Sequence, residues 1–174
     1  MSESHPAEGK RPPADLAARL DGILAAAGRL IVRIPDERMD WKPPERDRTL
    51  RDLAFHLFRL GLAFADGMDM GRLPVSWLQA GAPPDIQDGP GVARYGALVR
   101  GRLSGWFEGA GPGEYTRVID VPDGPLSGHD LLERTTRHAA RHLRQLHALL
   151  QRLGIGPLDP LPDLDGLSLP PDLW

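Results

Sequence analysis

Two histidines four residues apart are the feature of this sequence that most directly suggests chemistry. His138 and His142 lie in a segment whose leucines recur at helical spacing, and residues at positions i and i+4 lie one above the other on a helix. A rotation of about 100° per residue places both imidazoles at the edge of the apolar arc or inside it, facing the core. The pair is therefore suited to present two ring nitrogens to one metal ion.

A third histidine, His56, lies beside Leu53 and Leu60 at the margin of an earlier apolar stripe, from which it can point toward the helix that carries the pair. Three neutral imidazoles leave one coordination position open for water or substrate, as in catalytic zinc sites. No fourth buried histidine, cysteine or inward carboxylate is evident in the sequence. We therefore expect an open site for a divalent metal ion, which suits Zn, Ni, Fe, Co or Mn, with Zn or Ni favoured.

Three further side chains are candidates for supporting roles. Asp52, four residues before His56, either caps its helix or accepts a hydrogen bond from the His56 ring. Gln145 either hydrogen-bonds a metal-activated water or thiolate, or lies on the surface of the bundle. Arg141 belongs to an arginine-rich outer face, where solvated salt bridges are the simpler interpretation, although it could instead meet a carboxylate of the substrate.

Composition limits the classes of protein to which the chain can belong. Its 174 residues correspond to about one domain with a core of its own. A net charge of -3 gives no electrostatic reason to expect nucleic acid or an anionic membrane as a partner. The absence of cysteine excludes disulfides, cysteine-ligated zinc and a protein thiol nucleophile. Because we find neither a secretory signal nor an apolar run near the ~20 residues of a membrane span, we predict a cytoplasmic protein.

Four apolar stripes of helical period predict an all-α fold, a four-helix bundle with long loops. Thr49 and Ser127, each followed by an aspartate three residues later, have the form of capping boxes at the starts of the second and fourth helices. The stripes cover residues 16–34, about 50–68, 92–106 and 131–153.

The connections and ends of the chain are expected to be irregular. Residues 71–91 contain four prolines and form a connection long enough to act as a functional lid. Residues 115–121 alternate loosely and could form a short extended piece, but because nothing in the sequence obviously pairs with them, we assign them to coil. Residues 156–174 alternate leucine with proline too densely for a helix, which predicts an extended Pro-rich C-terminal strap on the bundle or on a partner subunit. We therefore divide the chain into a disordered tail over 1–13, a bundle domain over 14–155 and this strap.

The order of these motifs resembles that of the DinB/YfiT-like superfamily, four-helix-bundle proteins to which metal-dependent activity is attributed. Members are often dimeric, and their metal triad takes one histidine from the second helix and two from the last. The resemblance thus implies His56, His138 and His142 as metal ligands and a homodimer as the assembly. The motifs that carry it are Trp41-Lys42-Pro43-Pro44, Thr49-Leu50-Arg51-Asp52-Leu53 leading into His56, His138-xxx-His142-xx-Gln145-Leu146, and the tail from Leu153-Gly154 to Trp174.

The resemblance implies a small-molecule substrate and leaves three functions open. Related proteins include transferases and isomerases that use low-molecular-weight thiols such as mycothiol, bacillithiol or glutathione. Here the metal would stabilise the thiolate and present it to an electrophile under residues 71–91. A second possibility is a hydrolase whose metal lowers the pKa of a water molecule toward ~7. The third is a non-catalytic metal-binding protein of a stress response, because fold and ligands do not by themselves establish chemistry.

Overall fold

The computed structural model describes residues 10–174. Most of the predicted N-terminal tail, including its first nine residues, lies outside the described part of the chain. The first helix begins at Pro13. Just before it, Lys10 already contacts the bundle, because its Nζ atom lies 2.7 Å from a carboxylate oxygen of Asp130. The bundle domain therefore extends slightly further toward the N-terminus than residue 14.

The predicted four-helix bundle is confirmed, since each of the four apolar stripes forms one long helix. The second and last helices begin at the predicted caps: the hydroxyl oxygens of Thr49 and Ser127 accept hydrogen bonds from the backbone N–H groups of Asp52 and Asp130, at 3.0 and 3.1 Å. In chain order the helices are α1 (Pro13–Ile31), α2 (Leu50–Met70), α3 (Val75–Gln79), α4 (Gly89–Gly109), α5 (Pro112–Thr116) and α6 (Gly128–Arg152).

The long helices are arranged so that α2 and α6 are neighbours. Helix α1 packs against α4 and α6, and α2 packs against the same two helices, whereas α1 and α2 share few contacts. Helices α1 and α2 therefore occupy one diagonal of the bundle, which leaves α4 and α6 on the other. Buried leucines fill the centre, including Leu20, Leu57 and Leu143, each with no exposed surface. This arrangement brings the histidine of α2 to the face of α6.

One glycine controls how closely α2 and α4 approach. A Cβ atom added at Gly96 of α4 would overlap the ring of Phe58 on α2. Phe58 is among the largest fully buried side chains, so its ring has no free space into which it could move. Gly96 therefore permits this crossing, although glycine weakens the helix itself.

The prediction of coil for residues 115–121 is wrong. Helix α5 ends within this stretch, and Val118–Ile119 (β1) pairs antiparallel with Leu126–Ser127 (β2). The loose alternation over this stretch does contain a strand, but each strand is only two residues long, so the sequence does not reveal the pairing partner. Burial of Ile119 and a turn at Gly124, whose φ is 108°, favour the hairpin.

The long connection after α2 is fixed to the bundle and contains the short helix α3, which the sequence analysis did not predict. The guanidinium of Arg59 donates a hydrogen bond to the carbonyl of Trp77 at 2.9 Å. The backbone N–H of Ala82 donates to the carboxylate of Asp52 at 3.2 Å. Both anchors belong to α2, which holds the connection over the helix that carries His56.

The C-terminal strap contains no helix or strand and lies along the bundle of its own chain. Arg144 of α6 donates hydrogen bonds to the carbonyls of Pro170 and Asp172 at 2.6 and 2.7 Å, and Leu167 is buried against the core. Across residues 10–174, no helix has both the length and the apolar character needed to cross a membrane.

Candidate metal centre

The structure brings the three predicted histidines into one cluster. His56 lies on α2, and His138 and His142 lie one turn apart on the neighbouring helix α6. The ring centroids of His56 and His142 are 4.9 Å apart, and those of His138 and His142 are 5.7 Å apart. The helical spacing supplies two of these rings, and the packing of α2 on α6 supplies the third.

The spacing of the rings fits a shared metal ion. Imidazoles bound tetrahedrally with metal–nitrogen distances of about 2.0–2.1 Å have ring centroids about 5 Å apart, close to the two distances observed. The possible ligand nitrogens of the three rings do not all lie within 4.8 Å of one another, so coordination requires small rotations of the side chains. The prediction that both imidazoles of α6 face the core is wrong for His138, whose side chain is exposed, whereas His56 and His142 are partly buried.

Gln145 holds the ring of His142 in one orientation and one tautomer. Its side-chain N–H donates to the carbonyl of Leu173 at 2.7 Å, which turns the amide oxygen toward His142. That oxygen lies 2.7 Å from Nδ1 of His142, so Nδ1 must carry the proton and Nε2 keeps its lone pair. Gln145 is only 5% exposed, in contrast to the surface position considered from the sequence. It therefore orients a candidate ligand, in the position that groups behind metal-bound histidines commonly occupy.

Two roles were predicted for Asp52, at the cap of α2 or as an acceptor for the His56 ring, and the structure shows the first. Its carboxylate accepts hydrogen bonds from the hydroxyl of Thr49 at 3.0 Å and from the backbone of Ala82 at 3.2 Å. The backbone group that interacts with the His56 ring is instead the carbonyl of Leu78 in α3, which acts to raise the pKa of His56. The long connection thus supplies a polar neighbour to the candidate ligand on α2.

The surroundings favour the neutral form of all three rings. Burial, reinforced by the neighbouring rings and Arg48, lowers the pKa of His56 to about 3. Burial likewise lowers the pKa of His142 to about 4. The pKa of His138 is also lowered, first by partial burial and then by nearby arginines, Arg134 foremost. Neutral imidazoles at pH 7 have free lone pairs, so no proton has to be displaced before a metal binds.

The cluster separates two cavities of different character. A recess of about 420 Å³ is lined by His142, Arg48 and Arg141. A smaller cavity of about 70 Å³ borders His56 and His138 and is lined largely by apolar side chains of α2, the long connection, the hairpin and α6. These apolar lining residues include Leu60, Leu73, Leu78, Val121 and Leu131.

The other two described histidines do not join the cluster. Nε2 of His129 lies 2.7 Å from the carbonyl oxygen of Arg11, and Nε2 of His147 lies 3.2 Å from that of Asp159. His129 forms a second possible ligand group with Asp130 and the nearby Glu133, in which the candidate atoms lie within 4.8 Å of one another. The Asp130 carboxylate already binds Lys10 and accepts a hydrogen bond from the hydroxyl of Ser127, the cap of α6, so we assign that group to the start of the helix.

Fold and site together define a four-helix-bundle protein with a three-histidine candidate metal centre. The sequence matches the DinB superfamily over residues 7–146, and the chain belongs to this family. A comparison with curated proteins finds no match.

Two solved structures from Bacillus subtilis share the fold. The DinB-like protein YjoA is 17% identical, with a TM-score of 0.69 over 86% of this chain and 99% of its own. YfiT is 18% identical, with a TM-score of 0.69 over 90% of this chain and 94% of its own. YfiT is described as a probable metal-dependent hydrolase with an unusual four-helix bundle topology. At these identities the likeness establishes the fold alone.

Proposed function

We propose that this protein is a divalent-metal-dependent enzyme whose ion is held by His56, His138 and His142. The observation that carries the proposal is the cluster of three imidazoles with lowered pKa values, set between two cavities. A divalent ion bound there supplies Lewis acidity that lowers the pKa of a coordinated thiol or water.

The two cavities favour a reaction between two small molecules, with a low-molecular-weight thiol as one of them. The recess on the His142 side would hold the thiol, and the electrophile would reach the cluster from the His56 side, where the apolar cavity of about 70 Å³ has room for only a small part of it. The thiol sulfur forms a bond to the electrophilic carbon, and the bond from that carbon to its leaving group breaks. The leaving group departs with that electron pair, and the thiol proton passes to solvent. The sulfur comes from the co-substrate because the chain contains no cysteine.

Residues of this chain would orient the reactants and keep water from the electrophile. Gln145 fixes the His142 ring, and the carbonyl of Leu78 lies behind His56. Leu73 and Leu78 line the apolar cavity from the long connection, which is anchored to α2 through Arg59. An apolar wall at this place favours a bound electrophile over bulk water.

Hydrolysis of a small molecule is the second candidate. It is favoured by the likeness to YfiT, which is described as a probable metal-dependent hydrolase. In this case water attacks the substrate in place of the thiol, and a single organic substrate is sufficient.

Metal titration of the purified protein tests the site. We expect one divalent ion per chain, with affinity reduced at least 100-fold in His56→Ala and His142→Ala, since each variant removes one of three ligands. The control is His147→Ala, which changes a histidine of α6 that lies outside the cluster. This variant should bind metal as the wild type does. Stoichiometric metal in both triad variants would refute the assignment.

A comparison of co-substrates distinguishes thiol transfer from hydrolysis. Metal-loaded protein is incubated with glutathione, bacillithiol or mycothiol, and its thermal midpoint is measured with and without the ion. Stabilisation by a thiol that requires the ion supports thiol transfer. Turnover of ester or amide substrates without any thiol supports hydrolysis. Bound metal with neither effect indicates the non-catalytic binding protein.

A further inference from the structure

The recess beside His142 is basic. It has a volume of about 420 Å³ and lies between the segment before α2, helix α6 and the end of the strap. Three arginines line it: Arg46, Arg48 and Arg141. This is large enough for a small ligand or for one end of a larger one.

The acidic side chain in the lining does not neutralise the positive charge of these three arginines. Asp47, the only acidic residue among the described ones that line the recess, has its carboxylate 2.6 Å from Nζ of Lys42. Arg46 lies over the ring of Trp174, with its guanidinium carbon 4.9 Å from the ring centroid. No carboxylate of residues 10–174 forms a salt bridge with Arg48.

Arg141 is likewise without a counter-charge in the described part of the chain, and its Nε atom is buried with no hydrogen-bond partner there. Arg100 and Arg152, by contrast, each have a carboxylate partner, Asp21 at 2.7 Å and Glu45 at 3.0 Å.

Arg141 is partly buried, and a partly buried cation without a counter-charge destabilises the protein unless something compensates for its lost hydration. Arg48 is exposed, and partial loss of hydration lowers its pKa, although the charge of Asp52 acts in the opposite direction. An anion in the recess would interact favourably with both arginines at once. Guanidinium groups also match the oxygens of carboxylates and phosphates in a two-bonded geometry.

We infer that this recess binds an anionic oxygen group, a carboxylate or a phosphate, of the molecule that is presented to the histidine cluster, and that Arg48 and Arg141 determine this specificity. The presentation of this molecule to the histidine cluster rests on the proposed function. The binding of the anion rests on the recess alone. Because His142 lines the same recess, an anion held there places the remainder of its molecule beside the candidate metal ligands.

The test measures anion binding to the metal-free full-length protein by calorimetry at low ionic strength. The probes are succinate and inorganic phosphate, neither of which contains a thiol or a hydrolysable bond. We compare the wild type with Arg48→Gln/Arg141→Gln and with the control Arg137→Gln. Arg137 is an exposed arginine of α6, one turn before Arg141, and does not line the recess. The control therefore removes positive charge from the same helix while leaving the recess intact.

The wild type should bind at least one probe, and binding should weaken as salt is added. The double variant should bind at least tenfold more weakly, which corresponds to about 1.4 kcal/mol, whereas the control should stay within twofold of the wild type. A preference for succinate or for phosphate identifies the anionic group. Absence of binding by the wild type, or equal binding by wild type and double variant, would overturn the inference.

Two further measurements keep the outcome interpretable. The single variant Arg48→Gln changes a mostly exposed residue and should fold even if the double variant does not, so its loss of anion affinity is an independent test. Metal titration of the wild type is performed separately. Failure to bind metal would refute the proposed function while the anion result stands, and anion failure with normal metal binding would refute the recess alone.

Discussion

Replacing Gln145 by leucine tests how the C-terminal strap and the histidine cluster are connected. The Gln145 side chain joins the two, because it accepts a hydrogen bond from Nδ1 of His142 and donates one to the carbonyl of Leu173, both at 2.7 Å. Leucine has a similar volume and removes both bonds. The Nδ1 proton of His142 then loses its acceptor, and the ring is free to rotate or to change tautomer.

The structure allows the size of both effects to be estimated. A buried donor left without a partner costs about 1–3 kcal/mol. Leu173 is only half-buried, so water can replace the bond to its carbonyl. We therefore expect the free energy of unfolding to fall by about 1–3 kcal/mol. Loss of a group behind a metal-bound histidine typically reduces metal affinity about 10–100-fold, and we expect a loss in this range.

Metal affinity is measured by competition with a chromophoric chelator, and stability by urea denaturation. Gln145→Glu separates the two roles, because its carboxylate still accepts from Nδ1 of His142 but has no N–H for the Leu173 carbonyl. This variant should lose stability and keep its metal affinity within about threefold, since the acceptor behind the ligand remains. Gln151→Leu, at an exposed glutamine of the same helix, is the control and should change neither quantity. Wild-type metal affinity in Gln145→Leu would refute the orienting role.

Three other outcomes follow from the same structure. In metal-free protein the pKa values of His56 and His142 are about 3 and 4, below the ordinary 6.5, so the unfolded chain binds protons first as the pH falls. The free energy of unfolding should therefore be nearly flat above about pH 7.5 and decrease toward pH 4, and these two rings together contribute at most about 2.7 kcal/mol per pH unit. Urea denaturation at a series of pH values measures this dependence. In the His56→Gln/His142→Gln variant, the free energy of unfolding should change less per pH unit than in the wild type. Gly96→Ala should destabilise the bundle by about 1–3 kcal/mol through overlap with the core, whereas Gly101→Ala on the same helix meets no atom within 4 Å and should stabilise it by up to about 1 kcal/mol, as measured by thermal denaturation. Thr49→Ala should cost about 1 kcal/mol by the same measurement, because it removes the hydroxyl that caps α2, and an unchanged midpoint would contradict that role.

Long-period patterns in the sequence were sufficient to predict the helices. Each apolar stripe spans several turns, so burial of one face is encoded many times within one segment. The caps at Thr49 and Ser127 are likewise local, since each needs only a hydroxyl and a backbone N–H three residues away. The two-residue strands and helix α3 were missed because their stability comes from contacts with distant parts of the chain, such as the hydrogen bond from Leu73 to the carbonyl of Asp120.

The role of Gln145 shows the limit of sequence reasoning at the site. Helical spacing places it one turn after His142, which is enough to suggest that the two side chains meet. Its orientation depends on the carbonyl of Leu173, which comes from the strap, 28 residues further along the chain. Only the folded strap determines that the amide oxygen faces the ring, and hence which ring nitrogen is left for a metal.

The sequence by itself determined the four-helix bundle and the common face of His138 and His142, because both follow from the period of a single helix. The tertiary structure decided that His56 lies 4.9 Å from His142, since this depends on α2 and α6 being neighbours. It also decided that Arg48 and Arg141, far apart in the chain, line one recess without a carboxylate partner in the described residues. Charge balance around a recess is a property of the packed surface, and no periodic pattern along the chain encodes it.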